Sequence, residues 1–174
     1  MPCNIEIKAV LKDRAGAEAT AARLSDSGPQ IIHQEDIFFK TDAARLKLRI
    51  LGPNRGELIR YERDDVATTR LSRYSIARTT DPKVLLEILQ KSLGIMGVVR
   101  KKRTLYMVSQ TRIHLDEVEG LGDFLELEVV LRDGQNEEEG MRIADGLLAE
   151  FGVSEGDLVA EAYVDLLARS AQVP

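Results

Sequence analysis

The sequence predicts an α+β fold dominated by a mainly antiparallel sheet, with helices packed on its outside. Two observations carry that class. Short segments alternate polar and apolar residues with period two: Asn4-Ile5-Glu6-Ile7-Lys8, Arg45-Leu46-Lys47-Leu48-Arg49-Ile50 and Phe124-Leu125-Glu126-Leu127-Glu128-Val129. Successive side chains of a strand point to opposite faces, so each segment gathers its charges on one side and its hydrocarbon on the other. Helical spacing, by contrast, occurs only in single stretches set between groups of these strands.

In chain order, residues 4–11 read as a strand, and Asp13 then caps an Ala-rich helix from Ala15 to Leu24. That helix stops at Asp26-Ser27-Gly28-Pro29, and residues 30–40 return to strand character. Asp42-Ala43 turns into a strand at 44–51, and Gly52-Pro53-Asn54-Arg55-Gly56 is a loop leading to its hairpin partner at 57–63. Residues 64–70 are polar and are expected to be mobile, and 71–78 is the next strand. Asp81 and Pro82 open a helix whose apolar stripe is Val84, Leu85, Ile88, Leu89 and Leu93. Residues 97–109, 111–118 and 124–132 are three consecutive strands, and Asp133-Gly134 closes the last. A helix over 137–151 with Met141, Ala144, Leu147, Leu148 and Phe151 on its apolar face ends at Gly152. A short helix near 160–169 completes a chain read as one domain, residues 1–174.

Composition narrows the function. Of 174 residues, 44% are hydrophobic and 30% charged, as in a soluble globular protein. The net charge of −5 argues against a general nucleic-acid binder, and in Arg100-Lys101-Lys102-Arg103 the cations alternate faces instead of forming one basic surface. Cys3 is the only cysteine, which excludes an intramolecular disulfide and a Cys-based zinc cage. Strand character begins within four residues of Met1, leaving no room for a signal peptide, and no apolar run approaches the ~18 residues of a membrane helix. A cytoplasmic protein with no membrane partner is expected, with a homodimer through a sheet edge or apolar helix face as an option.

The charged faces are where chemistry is expected. Lys8, the set Arg45, Lys47 and Arg49, and Lys101 with Arg103 each share one face of a strand, and either Arg60 or Arg63 joins them from the hairpin partner. Arg forks and Lys point charges together suit phosphate oxygens. Glu6, Asp116, Glu126 and Glu128 can face the same interior, and a few carboxylates with substrate phosphate and water suit Mg2+ or Mn2+. The opposite faces (Ile5, Ile7; Leu46, Leu48, Ile50; Leu125, Leu127, Val129) are apolar and must be covered by the helices. Helices outside then leave the charges converging inside a closed or strongly curled sheet. Charges there are costly unless paired, hydrated or liganded, so the interior is a binding site.

Asn4-Ile5-Glu6-Ile7-Lys8 resembles the Glu-x-Glu-x-Lys signature of the CYTH proteins, the triphosphate tunnel metalloenzymes that include class IV adenylyl cyclases and thiamine triphosphatases. The resemblance continues in order through Leu46-Lys47-Leu48-Arg49, Leu58-Ile59-Arg60-Tyr61-Glu62-Arg63, Val99-Arg100-Lys101-Lys102-Arg103-Thr104-Leu105-Tyr106 and Ile113-His114-Leu115-Asp116. It is most specific in Gly120-Leu121-Gly122-Asp123-Phe124-Leu125-Glu126-Leu127-Glu128 and closes on Ala162-Tyr163-Val164-Asp165-Leu166-Leu167. It implies an eight-stranded antiparallel β-barrel, a tunnel binding a triphosphate with divalent metal. By position, Lys8, Lys47, Arg49, Lys101 and Arg103 would hold phosphates, with Arg112 and one of Arg60 or Arg63 adding contacts. Glu6, Asp116, Glu126 and Glu128 would hold one or two Mg2+ or Mn2+ ions, and Glu6, Lys8, Lys101 and Arg103 would form the catalytic set. The chain departs from the signature at Asn4, which keeps an oxygen ligand and removes a charge.

The implied activity is that of a class IV adenylyl cyclase, taking ATP to cyclic AMP and pyrophosphate. A triphosphatase acting on inorganic triphosphate, thiamine triphosphate or a nucleoside triphosphate uses the same clamp, and a non-catalytic triphosphate or polyphosphate binder is the reading that Asn4 motivates. His33 and His114 are read as structural hydrogen-bonding residues, although His114 shares parity with Arg112 and Asp116. Tyr163 is expected to pack the last helix against the barrel mouth, and Cys3 to be incidental.

Overall fold

Period two governs every strand, and closing the sheet turns that alternation into an inside and an outside. The computed structural model describes residues 3–42, 44–62 and 70–171. Its strands are β1 (Cys3–Val10), β2 (Ser27–Phe39), β3 (Arg45–Gly52), β4 (Arg55–Glu62), β5 (Arg70–Thr79), β6 (Ile95–Val108), β7 (Thr111–Val118) and β8 (Gly122–Val130). They pair antiparallel in the order β1-β5-β4-β3-β2-β6-β7-β8, and β1 also pairs with β8, so the barrel is closed. The helices are α1 (Arg14–Leu24), α2 (Pro82–Leu93), α3 (Glu137–Glu150) and α4 (Tyr163–Ser170), with a single 3-10 turn at Glu155–Asp157. Among the described residues no helix is long and apolar enough to cross a membrane.

The helices start where their caps dictate. Asp13 accepts from Gly16 N and Asp81 from Val84 N, while Asn136 and Glu139 form a reciprocal capping box ahead of α3. Their apolar faces cover the outside of the barrel. α1 and α3 bury Ile113, Leu115, Leu125 and Leu127, α3 also covers Ile5, Ile7 and Val129 through Ala144, and α2 lays Leu85, Leu86 and Leu89 over Ile37, Phe39 and Leu48. Each such side chain contributes about 1.5–3 kcal/mol by leaving water. α4 instead closes one end of the barrel, where Ala162, Tyr163 and Val164 pack with Phe38, Val99, Val118 and Phe124. Gly97 lets it in: a Cβ there would stand 2.6 Å from Val164 Cγ2. An ion pair from Arg45 to Asp165 (2.7 Å) fixes the helix to β3.

Several boundaries differ from the sequence expectation. β2 begins at Ser27, through the expected turn, because Ser27 pairs with Met107 of the long β6 and a bulge before Gln30 absorbs Gly28 and Pro29. Arg55 and Gly56 belong to β4 and not to the loop, since Gly52 already pairs with Arg55. The last helix starts at Tyr163 and not near 160. Arg63 and most of the expected polar connection fall outside the described residues, and Arg70 opens β5.

Candidate functional site

The inward parity of all eight strands lines a cavity of about 390 Å³, within the size range of small-molecule sites. β1 supplies Asn4, Glu6 and Lys8; β2 Gln34, Asp36 and Phe38; β3 Lys47 and Arg49; β6 Lys101 and Arg103; β7 Arg112 and His114; β8 Glu126 and Glu128. Away from α4, the exposed Arg55, Ile76 and Arg78 line the cavity together with Ile32 and Leu51.

Two clamps of the same design organise the cations. On β6 and β7, Arg103 lies directly opposite Asp116. Asp116 accepts from Lys101 Nζ (2.6 Å) and from Arg103 Nε and Nη2 (2.7 Å each), and it is fully buried. On β2 and β3, Arg49 lies directly opposite Asp36. Asp36 accepts from Lys47 Nζ (2.7 Å), Arg49 Nε (2.9 Å) and Arg49 Nη2 (3.2 Å), with Gln34 Nε2 at 3.3 Å. Each clamp is thus a Lys-x-Arg pair closing on one aspartate of the neighbouring strand, with the guanidinium fork engaged through two N–H groups.

Electrostatics follow from these pairings. Burial alone would raise the Asp36 carboxyl, yet Lys47 and Arg49 outweigh it and hold it far below the usual carboxylate range. Burial also raises Asp116 and Glu126, and Arg103 with Lys101 more than reverse this in both. Lys47 is pulled down by burial, held up by Asp36 and pushed down again by Arg49 and Lys101, to about 8. The Arg103 guanidinium, disfavoured by burial, is kept charged by Asp116 and Glu126.

Tyr163 ties the plug to the site. Its hydroxyl donates toward Asp116 Oδ2 (3.2 Å) and Glu126 Oε2 (3.3 Å), and its ring lies under Lys8 Nζ (4.2 Å) and Lys101 Nζ (4.8 Å). Burial, then the Glu126 and Asp116 carboxylates, push the phenol well above its ordinary value, so it stays a donor. Lys8 Nζ also donates to Glu161 O at 2.9 Å.

The metal-competent group lies beside the β6–β7 clamp. One ligand atom from each of His114, Glu126 and Glu128 lies within 4.8 Å of the others. Burial first, then Arg103, lower the imidazole to about 4 against the pull of Glu128, so the ring is neutral at pH 7. Burial raises the Glu128 carboxyl, and the Arg103 and Arg112 guanidiniums, charged where His114 is neutral, act against it to hold it below its ordinary value. Glu6 faces the cavity opposite Glu128 in the β1–β8 register. This donor set fits a divalent cation: carboxylates that stay ionised and a neutral imidazole, all buried or half-buried.

Most of the predicted residues converge; among the described ones Arg60 and Arg45 do not. Glu6, Lys8, Lys47, Arg49, Lys101, Arg103, Arg112, Glu126 and Glu128 line the cavity. Asp116, expected with the metal ligands, is placed in the β6–β7 clamp, where Lys101, Arg103 and Tyr163 donate to its oxygens. Arg60 points outward and donates to Glu62, because Lys47 pairs with Ile59 and this register sends Arg60 to the outer face beside Leu46. Arg45, grouped with Lys47 and Arg49, is held by Asp165. Sequence reasoning missed Asp36 and the hydroxyl of Tyr163. Asp36 carries a faint signal, since it shares parity with Gln34 and Phe38, but its partners become visible only once β2 is paired with β3.

The CYTH domain family profile matches residues 3–163. A Methanocaldococcus jannaschii protein named "Putative adenylate cyclase" is 26% identical over 173 residues, covering 94% of this chain and 97% of its own. A solved Pyrococcus horikoshii protein has the same fold with a TM-score of 0.84 at 24% identity, covering 94% of this chain and 99% of its own. A Hippeastrum adenylyl cyclase candidate, described as having a dominant triphosphatase activity, shares the fold at a TM-score of 0.67 and 19% identity, over 98% of this chain and 97% of its own.

Proposed function

Because the chain belongs to the CYTH domain family, we propose that it is a divalent-metal-dependent enzyme that binds a nucleoside triphosphate in the barrel and cyclises it as a class IV adenylyl cyclase does, with Mg2+ or Mn2+. The pair of Lys-x-Arg clamps carries this reading. Two sets of cations project into one cavity of about 390 Å³ with Lys8 between β5 and β8, which suits a chain of phosphates and no monoanion. The aliphatic wall of Ile32, Leu51, Ile59 and Ile76 favours a substrate with a base and a sugar over inorganic triphosphate, which has no use for it.

Each clamp arginine has five N–H donors and commits two of its nitrogens to aspartate, so donors remain for phosphate oxygens. Lys8 and Lys101, steadied over the Tyr163 ring, would bind oxygens of the departing pyrophosphate. The 3′-hydroxyl oxygen attacks the α-phosphorus, the bond from that phosphorus to the pyrophosphate oxygen breaks, and the proton passes to a carboxylate such as Glu6. The protein's part is orientation and neutralisation of developing charge. Glu126 and Glu128 would hold the divalent ion, which supplies charge neutralisation and a lowered pKa for a bound hydroxyl.

The deciding assay incubates pure protein with ATP, inorganic triphosphate and thiamine triphosphate, each with Mg2+ or Mn2+, and separates the products. Cyclic AMP with pyrophosphate supports the proposal. Phosphate released in place of cyclic AMP makes the enzyme a triphosphatase, and calorimetric binding with no product makes it a binder. Glu126→Gln is expected to abolish turnover in a protein that still folds; unchanged turnover in that variant sinks the assignment of the site.

A further inference from the structure

Family signature and carboxylates speak for a divalent ion without saying which one, but this chain adds a nitrogen to the wall. His114 lies directly across from Glu126 in the β7–β8 register and is 3% exposed. Its Nδ1 is buried and has no hydrogen-bond partner among the described residues, while Glu128 Oε1 stands 3.9 Å away. A buried polar nitrogen without a partner is rare and calls for an explanation. Two atoms bound to one ion at about 2.1 Å lie at most about 4.2 Å apart, so an ion spans a gap that a hydrogen bond does not. Asn4 reinforces the point: its Oδ1 is also buried without a partner on the cavity wall, a neutral oxygen where the signature has a carboxylate.

We propose that His114 ligates the divalent ion in this barrel together with Glu126 and Glu128, and that the resulting nitrogen-and-oxygen site prefers a first-row transition ion such as Mn2+, Co2+ or Zn2+ over Mg2+. Mg2+ demands near-octahedral oxygen ligands and keeps its waters, whereas imidazole is a ligand for transition ions, and the affinity order rises beyond Mn2+. The role of His114 rests on the metal-dependent reading above for the presence of an ion, and not on which reaction follows.

The test needs no substrate. Mn2+ is added to metal-stripped protein and pulsed electron paramagnetic resonance is recorded for coupling to a directly bound nitrogen. The coupling is expected in the wild type, and its pattern changes when histidine is 15N-labelled. The chain has only two histidines, and His33 is exposed, so His33→Gln should keep the signal and His114→Gln should lose it. His114→Gln should also weaken Mn2+ binding by about tenfold or more while changing Mg2+ binding less. If His114→Gln does not fold, the labelled wild type and His33→Gln still decide. Bound Mn2+ without nitrogen coupling, or a coupling that disappears in His33→Gln, overturns the proposal. Turnover of ATP with no nitrogen coupling defeats this inference alone. Nitrogen-coupled Mn2+ with no turnover of any triphosphate defeats the enzymatic reading alone.

Discussion

Replacing Asp116 with asparagine keeps the shape of the β6–β7 clamp and removes its charge. In the wild type both oxygens of this fully buried carboxylate receive charged donors, Lys101 at 2.6 Å and Arg103 twice at 2.7 Å. Removing one member of a buried ion pair strands its partner and costs about 3–5 kcal/mol. Glu126 remains 3.1 Å from Arg103 and 4.0 Å from Lys101, which offsets part of the loss. The lower end, about 3 kcal/mol, is therefore expected. With unfolding entropy of about 2.1 cal/mol/K per residue over 174 residues, that is a fall of about 8 °C in the melting midpoint. A triphosphate supplies the missing anion, so added tripolyphosphate should raise the midpoint of Asp116→Asn by more than that of the wild type. The measurement is a pair of calorimetric melts, with and without the polyanion. An unliganded midpoint within about 1 °C of wild type refutes the energetic role of the clamp, and equal increments with tripolyphosphate refute its role as an internal stand-in for phosphate.

The second clamp makes a pH prediction. Lys47 has its pKa lowered to about 8, so its charge is lost as pH rises through 8 and triphosphate affinity should fall above that point. Because the folded chain binds fewer protons there than the unfolded one, this lysine alone makes stability rise with pH between about 8 and its ordinary value of 10.5. Asp36→Asn removes the anion that holds Lys47 up, so the break in a plot of binding constant against pH should move below 8; an unmoved break rejects the assignment. Tyr163→Phe keeps the ring beneath Lys8 and Lys101 and loses the hydroxyl to two carboxylates, for which a loss of about 1.5 kcal/mol in a denaturant titration is expected; Tyr163→Leu should cost more, and equal losses would show the ring to be idle. Arg60→Ala is expected to change stability by less than about 0.5 kcal/mol and to leave the KM unaltered, and a raised KM in that variant would mean that Arg60 reaches the substrate after all.

Alternation along single strands made much of this molecule readable in advance. In β1, β3 and β8 each polar residue is flanked by aliphatic ones, so a face could be assigned before any pairing was known, and Lys8, Lys47, Arg49, Glu126 and Glu128 follow from it. β4 resists the same reading because both of its faces are mixed: Glu57, Ile59 and Tyr61 on one, Leu58, Arg60 and Glu62 on the other. Only the pairing of Lys47 with Ile59 separates them, which is why Arg60 looked eligible. Asp36 was hidden for a related reason, since an aspartate near two phenylalanines has no visible purpose until Arg49 is placed across from it. Asp116 shows a different limit. A sequence lists carboxylates but not which cations their oxygens meet, so the pairing of Asp116 with Lys101 and Arg103 could not be read from it. Tyr163 had to wait for α4 to be folded back over the barrel end.

That folded-back helix has a consequence for traffic. Ala162, Tyr163 and Val164 pack into one end of the barrel, and the exposed Arg55, Ile76 and Arg78 line the cavity toward the other. A bore entered only from that side would release its products by the passage through which the next substrate arrives. A polyanion longer than the bore can present only a tip to the clamps, never its middle.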